Sequence, residues 1–208
     1  MVLTLAQTRS AWGARYQIVR GNGVLWEGEA PWSMGFQSIT LTRAGEPVYR
    51  MTGRWLRGLA PQVQNTKGIK LYGVERPDGT PAGEIGLFRE KGWHKPSYYR
   101  LYLEGREWRL YEVGLGKEGL KLPVWREGRQ VSLLEKDCVV VDNLDRYAMF
   151  VLSPEDVVPT ALLGLYYDFM RFGNRGQYQK GKSVSYLYTR NREVLAKYDP
   201  AFRGLCEE

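Results

Sequence analysis

Histidine is nearly absent from this chain: His94 is the only one in 208 residues. Cysteine is scarce too, with Cys138 and Cys206 far apart in sequence. A Ser-His-Asp or Cys-His enzyme would have to use His94 as its base. That residue sits in the loop Lys91-Gly92-Trp93-His94-Lys95-Pro96, where two lysines oppose its protonation. An exposed loop histidine is the better reading. With no histidine pair and no cysteine cluster, a zinc site built on those ligands is excluded. Two isolated thiols suit a reduced, cytoplasmic protein. Long apolar runs are also lacking. Nothing approaches the ~20 residues that span a bilayer, and the longest stretch, 157–172, already contains Pro159 and Asp168. Met1 to Ala14 does not read as a signal peptide, because Thr and Gln interrupt its apolar residues and Arg9 follows them.

What is present is an ordinary globular balance, 43% hydrophobic and 25% charged, with 24 Gly, 7 Trp and 14 Tyr. The length suits one domain or at most two small ones. Glycine and aromatics together favour strands and tight turns over helix bundles. Strand-like runs follow one another, each ending in a polar turn. Arg15–Arg20 and Gly23–Glu27 flank Gly21-Asn22, a hairpin signal. Met34–Arg43 turns at Ala44-Gly45-Glu46 into Val48–Met51. Ile69–Glu75 and Gly83–Phe88 enclose Pro77-Asp78-Gly79-Thr80. Tyr98–Leu103 with Trp108–Val113, Lys121–Arg126 with Gln130–Leu134, and Cys138–Asp142 with Tyr147–Leu152 repeat the form. Such spacing marks an antiparallel sandwich or barrel.

The pattern changes at Ser153-Pro154-Glu155-Asp156, which reads as a helix start with Ser as cap and acids in the first turn. Ala161 to Phe172 is apolar at nearly every position, so the helix has no polar face and must be buried. Pro159 begins or kinks it, and Gly173-Asn174 ends it. A meander followed by one greasy helix is most simply solved by a barrel wrapped around that helix.

This layout resembles the tubby C-terminal-like superfamily, which includes tubby proteins, phospholipid scramblases and plant LURP-one-related proteins. The residues that carry the likeness are the turn-centred hairpins and the run Val141-Asp142-Asn143-Leu144-Asp145-Arg146-Tyr147, which leads through one strand into Ala161–Phe172. The resemblance implies a closed antiparallel β-barrel of about 12 strands around one central hydrophobic helix. It covers about Ala14–Asn174 and is one of layout. No residue-by-residue counterpart of the tubby phosphoinositide pocket or of a scramblase calcium segment is present. The chain departs from the family in its long tail. The organisation expected is a barrel over 1–174, with the helix near 157–172, and a basic extension over 175–208 that packs on the barrel or trails from it.

Other chemistries find weak support. Gly114-Leu115-Gly116-Lys117-Glu118-Gly119 matches G-x-G-x-x-G, but a strand-like Leu120-Lys121-Leu122-Pro123-Val124 follows where a phosphate-binding helix should open. Asp142, Asn143 and Asp145 lack the further carboxylate and glycine of a calcium loop and read as an Asx-rich turn. Glu84 reads as a solvent-facing strand carboxylate rather than one of a catalytic pair. Four or five of the tryptophans, among Trp12, Trp26, Trp55, Trp108 and Trp125, fit a core, while Trp32 and Trp93 lie in loops. No cofactor is called for.

The tail carries the strongest functional signal. Arg171, Arg175, Lys180, Lys182, Arg190 and Arg192 occur with no acid between Asp168 and Glu193, and they hold six of the chain's seven net positive charges. Phe172, Tyr178, Tyr186 and Tyr188 are interleaved. Basic and aromatic residues together suit a phosphate-bearing partner. The competing reading is a solvated connection whose tyrosines pack back on the barrel. In it, Ser183–Tyr188 alternates like an extra strand and Asn191–Tyr198 has the look of a short helix. The expectation is a non-enzymatic binding or scaffold protein, cytoplasmic or peripheral to a membrane. Its partner is an anionic phospholipid surface or another protein, ahead of single-stranded nucleic acid. An enzyme whose carboxylates converge at a barrel cavity is the remaining alternative.

Overall fold

A computed structural model describes residues 1–10, 13–33, 37–53, 71–90, 95–136, 138–139, 144–172 and 185–206. Thirteen strands form one antiparallel sheet. They are β1 (Val2–Arg9), β2 (Gly13–Arg20), β3 (Gly23–Pro31), β4 (Ser38–Arg43), β5 (Glu46–Gly53), β6 (Tyr72–Glu75) and β7 (Pro81–Arg89). The series continues with β8 (Ser97–Leu103), β9 (Arg106–Leu110), β10 (Val113–Gly114), β11 (Leu120–Arg126), β12 (Arg129–Lys136) and β13 (Arg146–Val151). Successive strands pair with their neighbours. The first and last meet through Leu5↔Tyr147, and β9 pairs with β11 through Val124↔Leu110. Twelve strands thus close into a barrel, and the two-residue β10 continues the pairing of β9 along β11 in the same register.

Turn chemistry sets the register. Ala44-Gly45, Glu104-Gly105 and Glu127-Gly128 all have positive φ at both residues. That is the I′ geometry whose twist matches paired strands. It places Arg43 opposite Glu46, Leu103 opposite Arg106 and Arg126 opposite Arg129. Strand β1 was not among the sequence-read strands. Its Leu3, Leu5 and Gln7 alternate inward, and it joins the two ends of the meander. Trp108–Val113 divides into β9 and β10 because Pro123, opposite Tyr111, accepts the Tyr111 N–H but has no N–H to return. Cys138 and Val139 stand outside the strands, and the rest of Cys138–Asp142 lies outside the described residues.

Helix α1 (Val157–Arg171) threads the barrel, and every residue from Pro159 to Asp168 is buried. It starts two residues before Pro159, after a 3₁₀ turn at Pro154–Asp156. Proline at the third position is tolerated, since first-turn N–H groups have no intrahelical acceptor. Neither Ser153 nor Asp156 caps through its side chain. Asp156 instead accepts a hydrogen bond from Trp108 Nε1 at 2.8 Å and pairs with Arg126 at 2.9 Å. Two glycines permit the close approach of helix and wall. A Cβ on Gly28 of β3 would lie 2.7 Å from Leu165, and one on Gly164 would lie 2.7 Å from Leu5 and 2.9 Å from Leu134. Tyr72 and Tyr99 meet Tyr166 and Tyr167 edge to face at 5.4 and 5.1 Å, a favoured aromatic geometry. The lumen is therefore a packed core.

Residues 185–206 return along the outer wall. Tyr186 N–H donates to Gly116 O, and Thr189 N–H donates to Gly114 O. Helix α2 (Arg192–Leu195) follows, capped by Asn191, and its Val194 joins an outer cluster with Phe88, Tyr98, Tyr111 and Val113. Trp125 Nε1 donates to Lys197 O at 2.9 Å. Farther on, Phe202 and Cys206 cover Leu133 and Phe150, and Arg203 pairs with Glu135, which Lys121 also meets at 3.2 Å. This cover explains why both faces of β12 are buried.

Candidate anion site at the barrel rim

Strand β7 ends at Arg89, and β8 begins at Ser97 beside Lys95 and Pro96. The returning segment crosses this end of the barrel at Thr189–Val194. Between them lies an open cleft of about 790 Å³, and Glu112 completes its wall. Its charged lining is four cations, Arg89, Lys95, Arg190 and Arg192, against two carboxylates, Glu112 and Glu193. Both carboxylates are engaged. Glu193 accepts from Lys95 Nζ at 2.8 and 3.0 Å, and Glu112 pairs with Arg171 at 3.3 Å. The hydrogen bond to Glu193, and then its charge, raise the Lys95 pKa and hold the ammonium protonated. The Glu112 charge does the same for Arg171. Arg89 Nε donates to Lys95 O at 3.3 Å. Among the described residues, Arg89, Arg190 and Arg192 carry no ion pair. The cleft thus has guanidinium donors to spare, in the planar fork that suits phosphate oxygens.

Comparisons of the chain with protein-family models, curated proteins and solved structures find no match.

The six basic residues singled out from the sequence fare differently. Arg190 and Arg192 share the cleft. Arg171 ends α1 at the same rim but is paired to Glu112. Arg175, Lys180 and Lys182 lie outside the described residues. Sequence reading missed Arg89 and Lys95, which reach the site only because β7 and β8 form a hairpin. The sole signal was the basic loop between those strands.

A second polar cluster sits inside the barrel, near the C-terminal end of α1. Asp168 accepts from Tyr16 Oη at 2.8 Å and from Tyr147 Oη at 2.6 Å. Burial, and then the charge of Asp145, push its carboxyl up to about 7, against the pull of Lys136 and the two tyrosines. Lys136 pairs with Asp145 and lies 3.5 Å from the Phe172 ring centre. The sequence offered Asp168 only as an interruption of an apolar run.

The other residues weighed above fall into structural places. Gly116–Glu118 forms a 3₁₀ turn, and β11 rather than a helix follows Gly119. Glu84 pairs with Arg100, whose guanidinium lies 3.8 Å over the Phe88 ring. Asp145 pairs with Lys136, while Asp142 and Asn143 lie outside the described residues. Trp32 is 56% exposed and Trp108 is buried. Trp26 and Trp125 are half-buried, whereas Trp12, Trp55, Trp93 and His94 lie outside the described residues. Among the described residues, no three of His, Cys, Asp or Glu gather as a metal site, and no helix is long and apolar enough to cross a membrane.

Proposed function

We propose that the protein is a non-enzymatic binding or scaffold protein, tubby-like in type, that docks peripherally on anionic phospholipid surfaces through the rim cleft. The observation that carries this reading is the convergence of Arg190 and Arg192 with Arg89 and Lys95 around one open cleft, with the three arginines left without ion pairs among the described residues. Each basic residue near an anionic surface contributes about 1 kcal/mol. Arg190→Ala combined with Arg192→Ala is therefore expected to weaken binding by roughly 30-fold at low salt. Salt screens such contacts, so the wild-type affinity should fall as ionic strength rises. Co-sedimentation with vesicles of phosphatidylcholine, with and without phosphatidylserine, at low and high salt, is the test. Equal failure to bind both vesicles sinks the reading. A single-stranded oligonucleotide that displaces the vesicles from the cleft, and binds more tightly, would replace it with the nucleic-acid alternative.

A further inference from the structure

Immediately before Thr189 and Arg190, the returning segment presents Leu187 at 93% exposure and Tyr188 at 64%. An exposed leucine on a loose chain would mean little. This one is held. Tyr186 N–H is bonded to Gly116 O at 3.1 Å on one side, and Thr189 N–H to Gly114 O at 2.9 Å on the other, with Gly114 N–H donating to Thr189 Oγ1 at 2.9 Å. The glycines admit the segment. A Cβ on Gly114 would lie 2.1 Å from Leu187 O, and one on Gly116 would lie 2.5 Å from the Tyr188 ring. The backbone is thus pinned to the barrel while the leucine side chain points away from it. The same few residues continue into the cationic cleft. An apolar tip and an aromatic ring beside spare guanidinium groups match a bilayer interface, where anionic headgroups lie next to acyl chains.

We infer that Leu187 and Tyr188 form an interfacial wedge that enters the headgroup and acyl boundary of an anionic bilayer when the cleft takes the headgroups. This rests on the function proposed above and goes beyond it. Cleft charge alone would serve a soluble polyanion equally well, whereas the wedge makes the partner a lipid surface. Burying the leucine and part of the ring strengthens binding by roughly tenfold. Unlike the cleft contribution, the wedge contribution is not screened by salt.

The test uses the full chain with Leu187→Ser and Tyr188→Ser combined, and Leu187→Phe as the conservative partner. Three binding measurements apply: phosphatidylserine-containing vesicles at low salt, the same vesicles at high salt, and soluble inositol hexakisphosphate. Thermal unfolding of each variant checks the fold, which substitutions at such exposed positions should leave intact. The expected result is roughly tenfold weaker vesicle binding for the double serine variant at both salt concentrations. Its binding of the soluble polyanion should be unchanged, and Leu187→Phe should bind vesicles like wild type. Wild-type vesicle binding by the double serine variant overturns the wedge and leaves the cleft reading standing. Parallel loss of the soluble polyanion also overturns it, since the two residues would then act by shaping the cleft. Failure of the wild type to bind anionic vesicles at all removes both proposals.

Discussion

Asp168, inside the barrel, has two tyrosine hydroxyls on its oxygens and Lys136 nearby, whereas Arg190 and Arg192, at the rim, carry no ion pair among the described residues. Both places gather ionisable groups next to aromatic rings. In the lumen Lys136 is paired with Asp145 and Asp168 is held by two hydroxyls, because an unanswered buried ion is strongly destabilising. At the rim cations are in surplus, and solvent makes that surplus cheap to keep. The difference separates two kinds of residue. Changes in the lumen should act on folding, and changes at the rim should act on binding.

The largest expected effect comes from Lys136→Met. The methionine fills the space beside Phe172 but leaves Asp145 without its ion pair and Asp168 without a nearby cation. Removing one partner of a buried ion pair costs about 3–5 kcal/mol. Urea unfolding should show a loss of that size, whereas Arg190→Ala with Arg192→Ala should stay within about 0.5 kcal/mol of wild type. An unchanged midpoint for Lys136→Met would break the contrast between lumen and rim.

The next effect is a pH dependence that belongs to the lumen alone. Asp168 titrates from about 3.8 when unfolded to about 7 when folded. Its folded-state pKa is raised, so the folded protein holds the proton more tightly. The resulting stability is complete below about 3.8 and is lost as pH rises towards about 7. Asp168→Asn keeps the shape and cannot titrate. Between those pH values, wild type should lose roughly 2–4 kcal/mol relative to the asparagine variant. Parallel urea midpoints for the two proteins across that window would show that the carboxyl is not held as the geometry implies.

The barrel was legible because local and global signals agree. Glu104-Gly105 and Glu127-Gly128 read as turns from residue type alone, and both adopt the positive φ that such turns require. The apolar run to Phe172 read as a buried helix because no face of it could meet water. Strand β1 escaped because Thr4 and Gln7 look like mere breaks in an apolar run, whereas Thr4 lies on the outward half of an alternating strand and Gln7 is buried on the inward half. The site was half legible. Arg190 and Arg192 stood out in an acid-free run, but that run ends at Glu193, the very carboxylate that reaches into the cleft and holds Lys95. Arg89 and Lys95 lie about a hundred residues earlier in the chain, and the docking of the returning segment against the β7–β8 hairpin brings them near. A tail that looks like a single charged stretch is divided by its tertiary contacts into a paired Arg171 and the spare pair at the cleft.

The smallest effect concerns the join between wall and rim. Trp125 Nε1 donates to Lys197 O, and Lys197 Nζ lies 4.7 Å over the Trp125 ring and 5.3 Å over that of Tyr111. These contacts hold the end of α2, the helix that carries Arg192. Trp125→Phe keeps a ring under the ammonium but removes the donor, a loss of about 1 kcal/mol. Most of the wall's packing is untouched, so the loss should appear as local opening rather than global unfolding. Amide exchange over residues 192–198 should quicken several-fold while that of β12 and β13 stays as in wild type. Vesicle binding should weaken by only a few-fold, because Arg190 and Arg89 stay in place. If binding instead collapses with the barrel amides unchanged, the rim is preorganised by this one indole and the cleft charges act only through its placement. If the barrel amides quicken too, lumen and rim are one cooperative unit, and the separation drawn between them fails.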